Sequence, residues 1–512
     1  MAIKPRMMLF SHVSNAYTIT GAERLLLRFC QEMSAYFECV LVAPDEGKIT
    51  AEARKRGIAV EVQIFPLIYN MYTPYEGLEH EVEKLKDDPY FEKIVNLIRA
   101  VQPDLILTNT CVNVLPALAA KALGIPVVWK ITEMIRINAH TAEAVRMIDR
   151  YSDWVIGISN TVLIPLREGL AEEKTSVIEP SRSITAADLE KLSVVREKKR
   201  AQLGLKGSHF CVGYISSFIY EAKGLLHFVE MAIKLCRIYP QCRFWIIGKP
   251  SDSVYYSQCI AMIRKSRYSK RFVLTAFEES LTTVYGVMDA VVVPSMVEEG
   301  FGLTALEGLL YGRPVVAFAQ GGLAELMHQT GNAEFLVEPG NSDGLVARVS
   351  RFINNPEECR AIGWRNRQEA DRIYGLESYQ VKIRGTVERW MNERPEWFTV
   401  QRSEGETEII AGGHSPLPEA AGPPLIAEEQ GTAASPDAAI KKRRTGGPAR
   451  PRRRVRLILR ITRRGKKRNR LSARRHRRLP KRIKRGRHKL RLTRRGRMKT
   501  GSAGSRRKGA GR

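Results

Sequence analysis

Residues 291–326 read VVVPSMVEEGFGLTALEGLLYGRPVVAFAQGGLAEL: a buried strand ending at Pro294, a glycine-flanked loop, a helix opening near Gly302 and Leu303, a second buried strand and a second glycine turn. A parallel strand delivers the chain to the carboxyl edge of its sheet, and a loop that opens a helix there leaves free amides facing outward. Those amides attract phosphate oxygens, and the helix dipole adds about 0.3–2 kcal/mol for a nearby negative charge. Two carboxylates bracket them, Glu299 in the loop beside Glu298 and Gly300, and Glu307 in the second turn of the helix. Carboxylates suit sugar hydroxyls. A ligand carrying both a diphosphate and several hydroxyls, as a nucleotide sugar does, satisfies both kinds of group.

Outward from this stretch, the same alternation of strand and helix recurs along most of the chain. Before it lie MMLF, CVLVAP, VEVQIF, DLILTN, VVWK, WVIGIS and TSVIEP, several of them apolar on both faces, separated by helical stretches at 21–36, 78–101 and 113–123. A second series runs CVGYIS, RFWIIG, RFVLTA, AVVVPS, PVVAFA and EFLVEP, with helices at 225–239 and 342–354. Strands apolar on both faces and separated by helices predict parallel sheets covered on both sides. The expected fold class is α/β: two doubly wound, Rossmann-like domains facing a cleft, at 1–180 and 205–375. A polar connector at 181–204, a helix at 376–395 crossing the domains, and a disordered basic tail over 396–512 complete it. In the crossing helix Tyr379, Ile383, Val387, Trp390 and Met391 share one face.

Charge is divided unevenly. Of 83 Lys and Arg residues, 35 lie in 441–512, which holds no Asp or Glu; residues 1–440 keep 48 basic against 54 acidic residues, a net charge of −6. The isoelectric point near 9.9 therefore describes a tail rather than a catalytic region. A hydrophobic fraction of 44% supplies ample core. Eight scattered cysteines show no CxxC pair and no metal-ligand spacing with histidine, which fits buried thiols in a reducing compartment. MAIKPRMMLFSHVS lacks the apolar region of a signal peptide, and no run of about 18 apolar residues occurs. The expectation is a cytoplasmic protein, peripheral at most to the inner membrane surface.

Two further junctions bear on chemistry. Gly21-Ala22-Glu23-Arg24 enters a helix after the first strand, where a glycine lets amides approach a phosphate or substrate; an ordinary helix start would look the same. Lys223-Gly224 follows strand 212–215 and Ser216-Ser217, and a lysine there reaches a pyrophosphate, although an isolated Lys-Gly is also a common surface helix start.

Taken together these residues resemble the signature of glycosyltransferase family 4, the group 1 glycosyltransferases of GT-B fold. The family pattern PSxxEGFGxxxLEAxxxGxPVVA is met by Pro294-Ser295, Glu299-Gly300-Phe301-Gly302, Leu306-Glu307 and Gly312 with Pro314 to Ala317. One extra residue precedes Glu299, and Gly308 replaces the alanine. The resemblance implies a retaining transferase that works without a metal, using a UDP- or GDP-sugar as co-substrate and a glycan or lipid-linked cell-envelope acceptor. It assigns Glu299 to the donor-sugar hydroxyls, the amides of Gly300, Phe301, Gly302 and Leu303 to the sugar and distal phosphate, Glu307 to the ribose and Lys223 to the diphosphate. The Gly21 loop closes the cleft from the other domain, and the base falls near Thr275 to Glu278. Three departures stand out: residues 217–222 lack the arginine relatives carry before Lys-Gly, Glu133 follows the strand where relatives place a histidine, and Glu179-Pro180 replaces Asn-Gly. Glu133 is placed against the sugar or acceptor.

Two rival classes remain at this stage. A nucleotide-sugar epimerase or hydrolase on the same scaffold needs further acid/base groups at the cleft, and of nine histidines only His12 falls near that sheet edge. A polyanion binder with an inactive transferase-like body is motivated by 441–512, whose cations suit anionic membrane, cell-wall polymer or nucleic acid. That tail has no Phe, Tyr or Trp to stack on bases.

Overall fold

Strands apolar on both faces are stable only between two helical layers, and in the computed structural model, which describes residues 3–17, 19–182 and 184–400, they form two all-parallel sheets. The first begins with β1 (Arg6–Phe10), α1 (Gly21–Met33), β2 (Glu38–Ala43), α2 (Lys48–Lys55) and β3 (Ala59–Val62). The chain returns through α3 (Leu78–Glu83) and α4 (Pro89–Val101) to β4 (Leu105–Asn109). It continues by α5 (Leu115–Ala122), β5 (Val127–Ile131), α6 (Thr141–Tyr151), β6 (Trp154–Gly157), α7 (Asn160–Leu163) and β7 (Thr175–Val177). The spatial order is β3-β2-β1-β4-β5-β6-β7, so winding reverses between β1 and β4 and opens a crevice at their carboxyl ends.

After α8 (Ala186–Glu190) and α9 (Leu192–Gln202), the second sheet starts with β8 (Phe210–Ile219), α10 (Leu225–Ile238), β9 (Cys242–Pro250), α11 (Ser253–Lys265) and β10 (Phe272–Thr275). It continues with α12 (Leu281–Val287), β11 (Ala290–Val293), α13 (Leu303–Leu310), β12 (Val315–Phe318), α14 (Gly321–Gln329) and β13 (Leu336–Val337). Its order, β10-β9-β8-β11-β12-β13, reverses between β8 and β11. Lys223 follows the first of these strands and Glu299 the second. Topology alone therefore brings two segments 76 residues apart to one crevice.

Four local expectations are corrected. The helix read over 78–101 is broken, because Pro89 has no amide hydrogen to continue it and instead starts α4, with Asp88 capping Tyr90 N at 2.8 Å. The strand read at 212–215 runs on to Ile219 through a register shift between Ile215 and Phe218, so Ser216 and Ser217 sit in a bulge rather than a loop. The polar segment 181–200 is more than a connector: α9 packs on α12, and Arg196 and Arg200 grip Asp289 just before β11. Met391 is 44% exposed, off the apolar face of its helix.

Two helices, α15 (Ser342–Asn354) and α16 (Pro356–Tyr374), cover the second sheet, and α17 (Leu376–Glu393) crosses to the first. Tyr379, Ile383, Val387 and Trp390 enter one buried cluster with Met7, Leu9 and Trp154. The Trp154 and Trp390 rings meet edge to face at 6.1 Å. This anchorage ties the end of the described chain to its beginning. All eight cysteines are buried free thiols. Among the described residues no helix is long and apolar enough to cross a membrane. The start of the segment expected to be disordered is ordered, with a 3₁₀ turn over Pro395–Phe398 that buries Trp397 against Trp390; residues 401–512, with the basic run, lie outside the described residues.

Candidate active site

Gly302 caps α13 without a side-chain hydrogen bond, which leaves the first amides of that helix for another acceptor. The loop before it is held from behind by α14, where Gly322 N donates to Glu299 O at 2.7 Å. The glycine pair at 321–322 is thus a close approach of two backbones, as its sequence suggested.

Lys223 is placed by its neighbour. Gly224 has φ +68°, and a Cβ there would lie 1.8 Å from Pro294 O, so only glycine lets the chain leave β8 past the end of β11. The Lys223 Nζ then donates to Glu299 Oε1 at 2.9 Å. Burial opposes the lysine charge most, but the Glu299 carboxylate, with Tyr220 and Tyr72, together outweighs it and holds the ammonium above its ordinary pKa.

Glu307 is already engaged. Its Oε1 accepts from Arg182 Nε at 2.9 Å and Nη2 at 2.8 Å, and its Oε2 accepts from the Tyr285 hydroxyl at 2.9 Å. Tyr285 is buried and stacked on Tyr311, with ring centroids 5.3 Å apart. Neither Arg182 nor Tyr285 was singled out from sequence. Arg182 sits in the segment read as connector, and Tyr285 looks like an ordinary core aromatic.

The opposing wall comes from the first domain. A Cβ at Gly21 would lie 3.1 Å from Leu303 Cδ1, and one at Gly300 would lie 2.2 Å from Thr132 O. Ser159 Oγ donates to Gly300 O at 2.7 Å. Glu133 accepts from Thr132 Oγ1 at 2.7 Å and Cys111 N at 3.3 Å, and burial pushes its carboxyl pKa up. Phe301 is buried edge-on against Tyr374 at 5.3 Å, so only its backbone serves the site. Glu23, beside Gly21, closes a capping box with Thr20 and is structural.

Two adjoining cavities result. One, of about 400 Å³, is lined by Gly21, Glu133, Lys223, Glu299, Gly300 and Leu303. The other, of about 510 Å³, is lined by Arg24, Arg182, Phe277, Leu303 and Glu307 among others. Of the residues expected around the base, Thr275 Oγ1 is taken by Trp245 Nε1 at 2.9 Å and Glu278 by Lys199; Phe277, 53% exposed, faces the second cavity. His12 lines neither cavity.

Residues 19–181 match the model of Glycosyltransferase Family 4, and residues 209–355 match that of Glycosyl transferases group 1. Between them the matches span more than half of the 512 residues. The chain belongs to the family 4, group 1 glycosyltransferases. Its first and second Rossmann-like domains correspond to the two models in that order. The chain is 27% identical over 190 residues to the 2-deoxystreptamine glucosyltransferase of Streptomyces kanamyceticus, covering 37% of this chain and 47% of that protein. It is 28% identical over 224 residues to the D-inositol 3-phosphate glycosyltransferase of Segniliparus rotundus, covering 39% and 49%. The chain thus spans less than half the length of these curated relatives. Among solved structures it resembles HepE of Anabaena in complex with UDP-glucose, with TM-score 0.61, 21% identity, and coverage of 75% of this chain and 99% of that one. The glycosyltransferase WaaG aligns with TM-score 0.53 at 12% identity, over 73% of this chain and 99% of that one. These likenesses carry the fold, GT-B.

Proposed function

We propose that this glycosyltransferase moves a sugar from a nucleoside-diphosphate sugar to a glycan or other cell-envelope acceptor with retention of anomeric configuration. The observation that carries the reading is the Lys223–Glu299 contact at the mouth of the uncapped α13 amides. One carboxylate, one ammonium and several amides meet in a cavity of about 400 Å³ that both domains wall in. HepE, one of its structural neighbours, is seen with UDP and with UDP-glucose.

The chemistry follows from where charge develops. As the glycosidic C–O bond to the diphosphate breaks, negative charge grows on the leaving phosphate and positive charge on the sugar ring. Lys223 and the fixed amides stabilise the first without reorganising, and Glu299 holds the sugar hydroxyls. Glu307 takes the ribose hydroxyls. The acceptor oxygen attacks the face the diphosphate leaves, and its proton passes to the departing phosphate oxygen. Lys223 and the amides supply the electrophilic role a metal would otherwise fill.

The test is a screen of UDP- and GDP-sugars for hydrolysis and thermal stabilisation, with and without EDTA. The expected outcome is that one nucleotide sugar raises Tm and is turned over equally in EDTA. Absence of stabilisation by any of them would sink the donor assignment, and loss of turnover in EDTA the metal-independent one.

A further inference from the structure

The diphosphate of a nucleotide sugar brings several negative charges, and among the described residues lining the sugar cavity the second domain meets them with one cation, Lys223. Residues 217–222 read Ser-Phe-Ile-Tyr-Glu-Ala, with no cation among them, and Lys223 is shared with Glu299. Across the cleft the balance is reversed. In the cavity of about 510 Å³ that adjoins the sugar cavity through Leu25 and Leu303, cations outnumber carboxylates. Most of them are matched: Arg28 with Glu32, Lys55 and Arg56 with Glu52, Arg182 with Glu307. Arg24 is different. It stands one turn into α1 from Gly21, its Nε donates to Ile19 O at 3.2 Å, and among the described residues its terminal nitrogens have no hydrogen bond or ion pair. It lies within the field of Arg182, Glu307 and Glu23, so the Glu307 carboxylate that pairs with Arg182 is felt by a second guanidinium as well.

We propose that Arg24, with Arg182 beside it, supplies the phosphate-binding cation that residues 217–222 lack, so that the donor diphosphate is gripped by Lys223 and the α13 amides from one domain and by the Arg24 fork from the other. The inference rests on the nucleotide-sugar reading of the cleft. A guanidinium suits the task because its planar N–H groups match two phosphate oxygens at once. The diphosphate then bridges the domains and draws α1 onto Leu303, which Gly21 already touches.

Calorimetric titration of the full chain and of Arg24→Met with UDP, GDP and ADP, and with the corresponding nucleosides, tests this. Wild type should prefer a diphosphate over its nucleoside, and Arg24→Met should lose about tenfold of that preference, roughly 1.4 kcal/mol, with nucleoside affinity unchanged. A preference kept within about twofold overturns the proposal. Should Arg24→Met not fold, Arg24→Lys, which keeps the charge and loses the fork, must weaken the preference by about threefold; no change overturns it equally. A folded wild type that binds none of the diphosphates overturns the donor-site reading itself, a result distinct from a failure of Arg24.

Discussion

Glu307 illustrates how much a single carboxylate does before a ligand arrives. It holds the Arg182 guanidinium through two contacts and the Tyr285 hydroxyl through a third. On the proposed assignment of Glu307 to the donor ribose, that ribose would share or displace these partners, and Arg182 would answer to nucleotide binding. Glu307→Gln preserves shape but removes the charge that both Arg182 and a ribose would use. Hydrogen bonds to charged groups contribute about 1.5–3 kcal/mol, so kcat/KM should fall about 10- to 150-fold while the melting temperature stays near that of wild type. Steady-state kinetics with the identified donor check this; unchanged kcat/KM would remove Glu307 from the site.

His12 makes a second residue-scale statement, about stability rather than catalysis. Burial lowers its pKa to about 4, and among the described residues its Nδ1 has no hydrogen-bond partner. The unfolded chain, where histidine titrates near 6.5, binds the proton more readily than the fold does. Stability therefore rises with pH between about 4 and 6.5 and is lost as pH falls through that window, by at most about 3 kcal/mol. His12→Asn should flatten the melting temperature between pH 4 and 6.5; an unaltered slope would show that other groups set it.

At the scale of elements, the joint between the halves is made by short segments whose individual sequences are plain. Glu325 on α14 accepts from the backbone amides of Asn160 and Thr161 at 3.1 and 2.9 Å, and from their side chains at 2.9 and 2.6 Å. Burial works against its charge, but these donors prevail and hold its pKa below the ordinary glutamate value. One residue earlier in the same turn, Ser159 reaches the Gly300 carbonyl, so the clamp adjoins the loop that carries Glu299. Glu325→Ala should loosen the two domains and cost about 1–3 kcal/mol of closed-state stability, seen as a larger radius of gyration in solution scattering and about a tenfold drop in kcat/KM. Unchanged scattering and kinetics would show that the closed cleft is held elsewhere.

The element scale also marks where sequence reading stopped. Strand–helix alternation located the strands of both sheets, because apolar runs with two buried faces have few other uses. It missed the break at Pro89 and the bulge in β8, since a helical period continues across a proline and a bulge leaves the residue pattern almost unchanged. It also took α8 and α9 for a tether, because α9's service to the fold, through Arg196 and Arg200 on Asp289, is charged rather than apolar.

At the scale of the whole molecule, charge and fold part company. A formal charge of +29 coexists with a body, residues 1–440, that is mildly acidic. Removing residues 401–512 deletes every cation of the 441–512 run and none of the residues that line either cavity. The truncated chain should keep its melting transition and its turnover, and should elute from a polyanionic column at much lower salt than the full chain. Lost turnover in a folded truncation would place the tail in catalysis, and unchanged elution would deny it polyanion binding.

The sequence by itself determined the two doubly wound halves, the amide cluster before α13, and the pairing of Glu299 and Glu307 about it, because each depends on residues within one or two turns of one another. Only the tertiary structure decided that Lys223 meets Glu299, that Arg182 and Tyr285 hold Glu307, and that Thr132 and Ser159 press on Gly300. Those contacts join residues 22 to 168 positions apart. Their geometry is set by where each parallel sheet reverses its winding and by how closely two glycines let the walls approach, and no local pattern of residue types records either.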